Sequence, residues 1–139
     1  MHKKFIKSLL VLLLFTTPVF ANEYQDIVNI DLKKDEDKEI IVQYATSKRL
    51  FTFRWTLYTN GGLVVLRSYD RIVAQNILYL RHKNQSFRVE LKTKGANDFI
   101  VPYILVKFLE FDFERNSAKF QLFLSDKNSE ISLKHVKNK

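Results

Sequence analysis

His82 and His135 are the histidines available for chemistry beyond the extreme N-terminal region. An imidazole works as a general base or a metal ligand only beside a matched partner, a nucleophile or a second ligand at the right spacing. His82 lies in His82-Lys83-Asn84-Gln85, a polar stretch that reads as a turn, and His135 lies near a charged C-terminal end. No GxSxG, HExxH, phosphate loop or dinucleotide fingerprint occurs in the chain, so neither histidine has a recognisable reaction to serve. Both read as solvated groups, and no catalytic residue, metal site or cofactor is expected.

Carboxylates offer a second possibility. Glu110, Asp112 and Glu114 alternate with Leu109, Phe111 and Phe113. In a strand, residues two apart share a face, so the three acids would stand together. Such a stripe could hold a cation. A glycosidase pair, however, must flank a cleft from two sides. With Lys119 across the following turn, the stripe reads as a solvent face. The run Lys33–Glu39 is also acidic in part, but it lacks the glycine and ligand spacing of a calcium loop.

Arginine and tyrosine dominate protein-binding hot spots. Thr52, Arg54, Thr56, Tyr58, Leu63, Val65, Arg67 and Tyr69 fall on one side of the hairpin turned by Asn60-Gly61. If those two residues form the loop, Trp55 faces Leu66, Leu57 faces Val64, and Arg54 lies opposite Arg67. Like charges so placed need a partner to offset them. A two-residue loop at Lys83-Asn84 would bring Tyr79 and Arg88 alongside. The candidate partner-binding set is therefore Arg54, Tyr58, Arg67, Tyr69, Tyr79 and Arg88.

The elements that must position these residues are strands. Leu50–Thr59 alternates Phe51, Phe53, Trp55 and Leu57 against Thr52, Arg54, Thr56 and Tyr58. Asn-Gly between two alternating runs is a strong hairpin signal, since both residues accept positive φ. Phe99–Leu124 supplies a second hairpin. A loop at Asn116-Ser117 would set Glu114 against Lys119, Phe113 against Phe120, Phe111 against Leu122 and Leu109 against Leu124. That register puts every apolar side chain on one face, and a slip of one residue would send them to water. From Tyr103 to Phe108 both parities are apolar, as in a strand buried on both sides or bent between sheets. Pro102 cannot donate to a ladder and belongs at an edge or a bulge.

Shorter strands complete the set. Asp26–Leu32 carries Val28, Ile30 and Leu32 on one side, and Ile40, Val42 and Tyr44 mark the next strand. Ser47-Lys48-Arg49 and Asp70-Arg71 read as turns. Ile72–Arg81 reads as a strand bulged at Gln75-Asn76, with a helix as the alternative. Phe87, Val89 and Leu91 alternate with charge, Lys94–Asp98 reads as a loop, and Asp126–Ser129 as a turn before Ile131 and Leu133. About nine short strands in hairpin order predict an all-β antiparallel sandwich or small barrel.

Bulk properties bound what such a domain does. The sequence has 139 residues and no cysteine, which excludes a disulfide scaffold, a thiolate zinc site, a catalytic thiol and an acylated lipoprotein. Lys3, Lys4 and Lys7, the apolar run Leu9–Phe15 and the closing Val19-Phe20-Ala21 form the pattern of a secretory signal peptide over residues 1–21. The run is too short to span a bilayer, which takes about 20 residues. Cleavage after Ala21 would leave one β domain over 22–139 and lower the net charge from +8 to +5. No integral membrane span is then expected, and export with so modest a charge argues against nucleic acid as a partner. The bias to Lys, Asn, Ile and Phe suggests a low-GC bacterium, and with the leader a Gram-negative periplasm.

The expected function is a non-enzymatic exported domain acting by protein–protein contact, as an accessory or scaffold part of an envelope assembly. The alternative is a periplasmic carrier holding a lipid or other apolar ligand in a barrel or cleft.

Overall fold

Alternating apolar residues become strands here, and their greasy sides meet. The computed structural model describes residues 24–93, 100–127 and 130–138. The expected signal peptide over residues 1–21 and the expected Lys94–Asp98 loop lie outside those residues. Among the described residues there are nine strands: β1 Gln25–Lys33, β2 Lys38–Tyr44, β3 Ser47–Thr59, β4 Gly62–Tyr69, β5 Ile72–Tyr79, β6 Ser86–Glu90, β7 Tyr103–Asp112, β8 Ser117–Ser125 and β9 Ile131–His135. They form two antiparallel sheets packed as a β-sandwich, in the orders β1-β8-β7-β6 and β5-β4-β3-β2-β9. The chain crosses between sheets after β1, β5 and β8.

The interior is filled by side chains from both sheets. Phe51, Phe53 and Trp55 from β3 meet Phe108 and Phe120 from β7 and β8, all essentially without solvent exposure. Phe53 packs edge-on against Phe120 at 5.4 Å and against Phe87 at 6.1 Å, a geometry that aromatic quadrupoles favour. Trp55 donates its indole N–H to the carbonyl of Leu32 at 2.7 Å, so its polar edge is satisfied inside the core and ties β3 to β1 across the sandwich. The doubly apolar run in β7 has a simple cause. Ile104, Val106 and Phe108 point into the core and are fully buried, while Leu105 sits half-covered on the outer side of a central strand.

Two bulges reset the registers. The β3–β4 ladder pairs Leu57 with Val64, as expected, but shifts between Trp55 and Leu57, so that Trp55 pairs with Val65, Arg54 with Leu66 and Phe53 with Arg67. The extra residue is Thr56, and it reverses the facing of everything beyond it. The β7–β8 ladder shifts likewise between Phe108 and Glu110, making Leu109 the extra residue. Both reversals turn rings inward at one end of the sandwich, where Tyr58 and Phe111 stack with centroids 4.0 Å apart. Burying those rings offsets the broken ladders.

The β7–β8 turn also differs from the two-residue loop at Asn116-Ser117. Asp112 pairs with Ser117, leaving Phe113–Asn116 as the loop. The Asp112 carboxylate accepts the N–H groups of Glu114 and Arg115 at 3.0 and 3.1 Å, and Asn116 takes φ 47°. This side-chain turn outcompetes the tighter loop. In consequence Lys119 opposes Glu110, not Glu114, and Phe113 is 76 % exposed instead of entering the core.

Three smaller differences follow the same logic. The β2–β3 turn is Ala45-Thr46, because Tyr44 pairs with Ser47. β5 is a strand with unbroken register from Tyr69–Ile72 to Gly62–Tyr79, with no bulge at Gln75-Asn76. Pro102 precedes β7 and does not interrupt it; its carbonyl accepts the N–H of Leu91 at 2.7 Å.

Candidate functional site

Most of the side chains that the sequence offered for chemistry have a local partner. His82 accepts the Asn84 N–H on Nδ1 at 3.2 Å, inside its own turn. His135 Nε2 lies 3.4 Å from the Asp26 carboxylate, and its Nδ1 is buried without a partner. Glu110 pairs with Lys119 at 3.6 Å, and Asp112 holds its turn. Among the described residues no cluster of three or more His, Asp or Glu is arranged to hold a metal.

The six Arg and Tyr candidates do not form one surface. Arg54 stands on the outer face of the five-stranded sheet, 3.7 Å from the Asp37 carboxylate. Tyr79 is on that face too, its ring lying over Gly62, where an added Cβ would meet ring carbons at 3.0 and 3.1 Å. Gly62 is thus the floor of an aromatic lid. Tyr58, Arg67 and Tyr69 point the other way, into the sandwich. Tyr58 stacks on Phe111. Arg67 donates to Asn76 Oδ1 at 2.8 Å and sits 5.3 Å from the Phe87 ring centre, and burial pulls its pKa down. Tyr69 belongs to the core. Burial raises its hydroxyl pKa, opposed by its hydrogen bond and charge attraction to Arg49. Arg88 is on the outer face of the other sheet, its guanidinium 3.7 Å over the Tyr103 ring and 3.9 Å from Glu90. It pairs with Leu105 in β7, so Lys83-Asn84 does not join it to Tyr79. The Thr56 bulge is the reason Arg54 and Arg67 part company: they occupy opposite faces of one sheet.

What the bulge leaves outside is apolar. Leu57, Val64 and Ile77 form one cross-strand row on the outer face of β3, β4 and β5. Leu66 lies in the next row, between Arg54 and Gln75, and Val73, 74 % exposed, in the row after that, beside Ser68. An open depression of about 300 Å³ crosses the same face, lined by Thr52, Arg54, Leu66, Ser68 and Val73 with Asp37 at its rim. Residues Leu63–Leu66 carried the missed signal: four apolar residues in a row have one pair on each face, and only one face can be core. Exposed apolar groups gathered on one face make it the candidate contact surface.

A second, narrower cleft of about 100 Å³ lies between Val42, Tyr44, Arg49, Tyr69 and Lys92. Pockets for small organic ligands are usually about 300–1,000 Å³, so this one suits water better than an acyl chain. No protein family, curated protein or solved structure matches the chain.

Proposed function

We propose that this protein is an exported β-sandwich module that works by protein–protein contact in the bacterial envelope, through the outer face of β3, β4 and β5. The observation that carries this is the row Leu57–Val64–Ile77 with Leu66 in the next row, apolar side chains left on the water side of a sheet whose inner face is already full. Apolar surface of this sort gains about 25 cal/mol per Å² when another surface covers it. Tyr79 on one side of the row, and Arg54 with the depression on the other, supply its polar definition. The leader-like residues 1–21 support a periplasmic location. The apolar run of β7 that would suit a lipid carrier is taken up by core packing through Ile104, Val106 and Phe108, which favours contact over carriage.

The test is site-specific photo-crosslinking in intact cells. A photoreactive residue at Leu57 or Val64 should give a discrete cross-linked product with an envelope protein. The same residue at Gln121, on the outer face of the other sheet, should give none. Equal labelling from all three positions, or none from any, would remove the proposal. Mass spectrometry of the purified mature chain should find Asn22 at its N-terminus.

A further inference from the structure

Sheets end in edges, and an edge strand offers unpaired backbone groups that natural proteins normally guard with charge, proline, bulges or shortness. Among the described residues, three of the four sheet edges are guarded. β1 is irregular between Gln25 and Val28, has Asp26 at φ 48°, and carries Asp31 and Lys33. β6 has five residues including Arg88 and Glu90, and β9 has five including Lys134 and His135. β5 differs on every count. It has eight residues, Ile72–Tyr79, with no Lys, Arg, Asp, Glu, Pro or Gly among them, and its register with β4 is continuous. Ile72 and Val73 are 69 % and 74 % exposed.

The backbone of that edge points outward at defined positions. Asp70 and Arg71 form a two-residue loop with both φ positive, 49° and 66°. Such a loop is closed by a hydrogen-bonded pair, here Tyr69 and Ile72. Ile72, Ala74, Asn76 and Leu78 therefore bond to β4, while Val73, Gln75, Ile77 and Tyr79 aim their N–H and C=O away from it. Tyr79 confirms the phase, since its N–H goes to the Asn84 carbonyl at 3.1 Å. Val73, Gln75 and Ile77 have no backbone partner on that side among the described residues.

Cations flank the open stretch. Arg71 stands at one end, with Arg81 and Lys83 at the other, all exposed and in no ion pair among the described residues. Asp70 is already engaged by Arg49 at 3.2 Å. The charges disfavour a second copy of this chain as the occupant. Edge-facing residues must pair with edge-facing residues in an antiparallel ladder. Registers that set Val73 against Ile77 or Tyr79 of the second copy bring Arg71 diagonal to, or opposite, its Arg81.

Resting on the contact role proposed above, we propose that the free edge of β5 takes up an extended segment of a partner protein as an added strand, apolar at alternate positions and acidic at both ends. Backbone bonds to Val73, Gln75 and Ile77 would hold it. Its apolar side chains would continue the outer face beside Val73 and Ile77, and its acidic ends would meet Arg71 at one side and Arg81 with Lys83 at the other.

The probe is a short synthetic Val-Thr alternating peptide with a Glu pair at each end, added to the mature protein at low salt. Amide exchange at Val73, Gln75 and Ile77 should slow at least tenfold, with Val65 in the sheet centre unchanged. The same peptide with Lys pairs should bind at least tenfold more weakly. Gln75→Pro removes one edge-facing N–H without taking a bond from β4, and should abolish the protection. Ile77→Glu keeps that N–H but sets an acid on the edge beside the peptide's acidic end, and should do the same should Gln75→Pro fail to fold. Unchanged exchange at millimolar peptide overturns the proposal, as does equal binding of the Lys-ended peptide. Protection that appears in the protein alone and grows with its concentration overturns it in favour of a second copy. Where cross-links from Leu57 form in cells while the edge takes no peptide, the domain acts by contact without strand addition.

Discussion

On the outer face of the β1-β8-β7-β6 sheet, Lys119 lies 3.6 Å from Glu110, and Arg88 reaches Glu90 at 3.9 Å while covering Tyr103. Phe123, also on that face, is met by the Tyr24 ring at 5.1 Å. On the outer face of the β5-β4-β3-β2-β9 sheet, the corresponding rows read Leu57–Val64–Ile77 and Arg54–Leu66–Gln75. The inner faces reverse the contrast. Both contribute Phe and aliphatic side chains to one core, but the five-stranded sheet also sends Lys38 and Arg67 inward. One sheet carries paired charges around the Leu105–Phe123 pair on its outer face. The other sends two cations inward and leaves an apolar row outside, on the face proposed above for contact.

The contrast presupposes that the two sheets stand or fall together, and truncating the ring between them tests this. Phe120 is fully buried against Phe53 and Phe108. Phe120→Ala should cost about 3–5 kcal/mol, from lost transfer energy plus the cavity left behind. Urea unfolding should show one transition at a lower midpoint, with exchange protection lost from both sheets at once. Separate transitions would mean that the sheets are independent units, and the comparison of their faces would lose its basis.

The inward cations provide a smaller effect with a definite pH signature. Lys38 is 7 % exposed, donates to the Val136 carbonyl at 3.0 Å, and burial lowers its pKa below the ordinary 10.5. A base with a depressed folded-state pKa binds its proton less tightly when folded. Its cost is full below the folded pKa and fades as pH rises toward 10.5. Tyr69, with a raised pKa, has the opposite sign and erodes stability above 10.0, so the Lys38 effect is best read between neutrality and pH 10. Lys38→Met should stabilise the protein at pH 7 by on the order of 1 kcal/mol, with the advantage shrinking as pH climbs through that window. A pH-independent difference would mean that Lys38 is better solvated than its burial implies.

Much of this arrangement was legible in the residues, and what was hidden has a common cause. Alternation located the strands, and Asn60-Gly61 and Asp70-Arg71 are turns as read, since local patterning and positive-φ propensity carry those features. The bulges at Thr56 and Leu109 were not legible. They answer to the stacking of Tyr58 on Phe111, a contact between sheets that no single strand encodes. The Ala45-Thr46 turn was hidden because Ala45 takes φ 51° without any turn residue to announce it. The candidate site suffered most. Face assignment propagates along a strand, so one unseen bulge moved Arg67 inside and Val64 outside together.

The smallest predicted effect bears most directly on what the two outer faces are for. The Lys119–Glu110 pair is the best-placed cross-strand ion pair of the four-stranded sheet, yet both side chains are well exposed. Exposed pairs of this kind contribute about 0.2–1 kcal/mol and weaken with salt. Lys119→Ala should therefore shift the urea midpoint slightly at low salt and hardly at all at high salt. A loss that survives high salt would make the pair a structural strut and the polar dressing a matter of stability. A small, screened effect means that the charged face contributes little to folding. That outcome fits the proposal that contact is made through the apolar face opposite and its β5 edge.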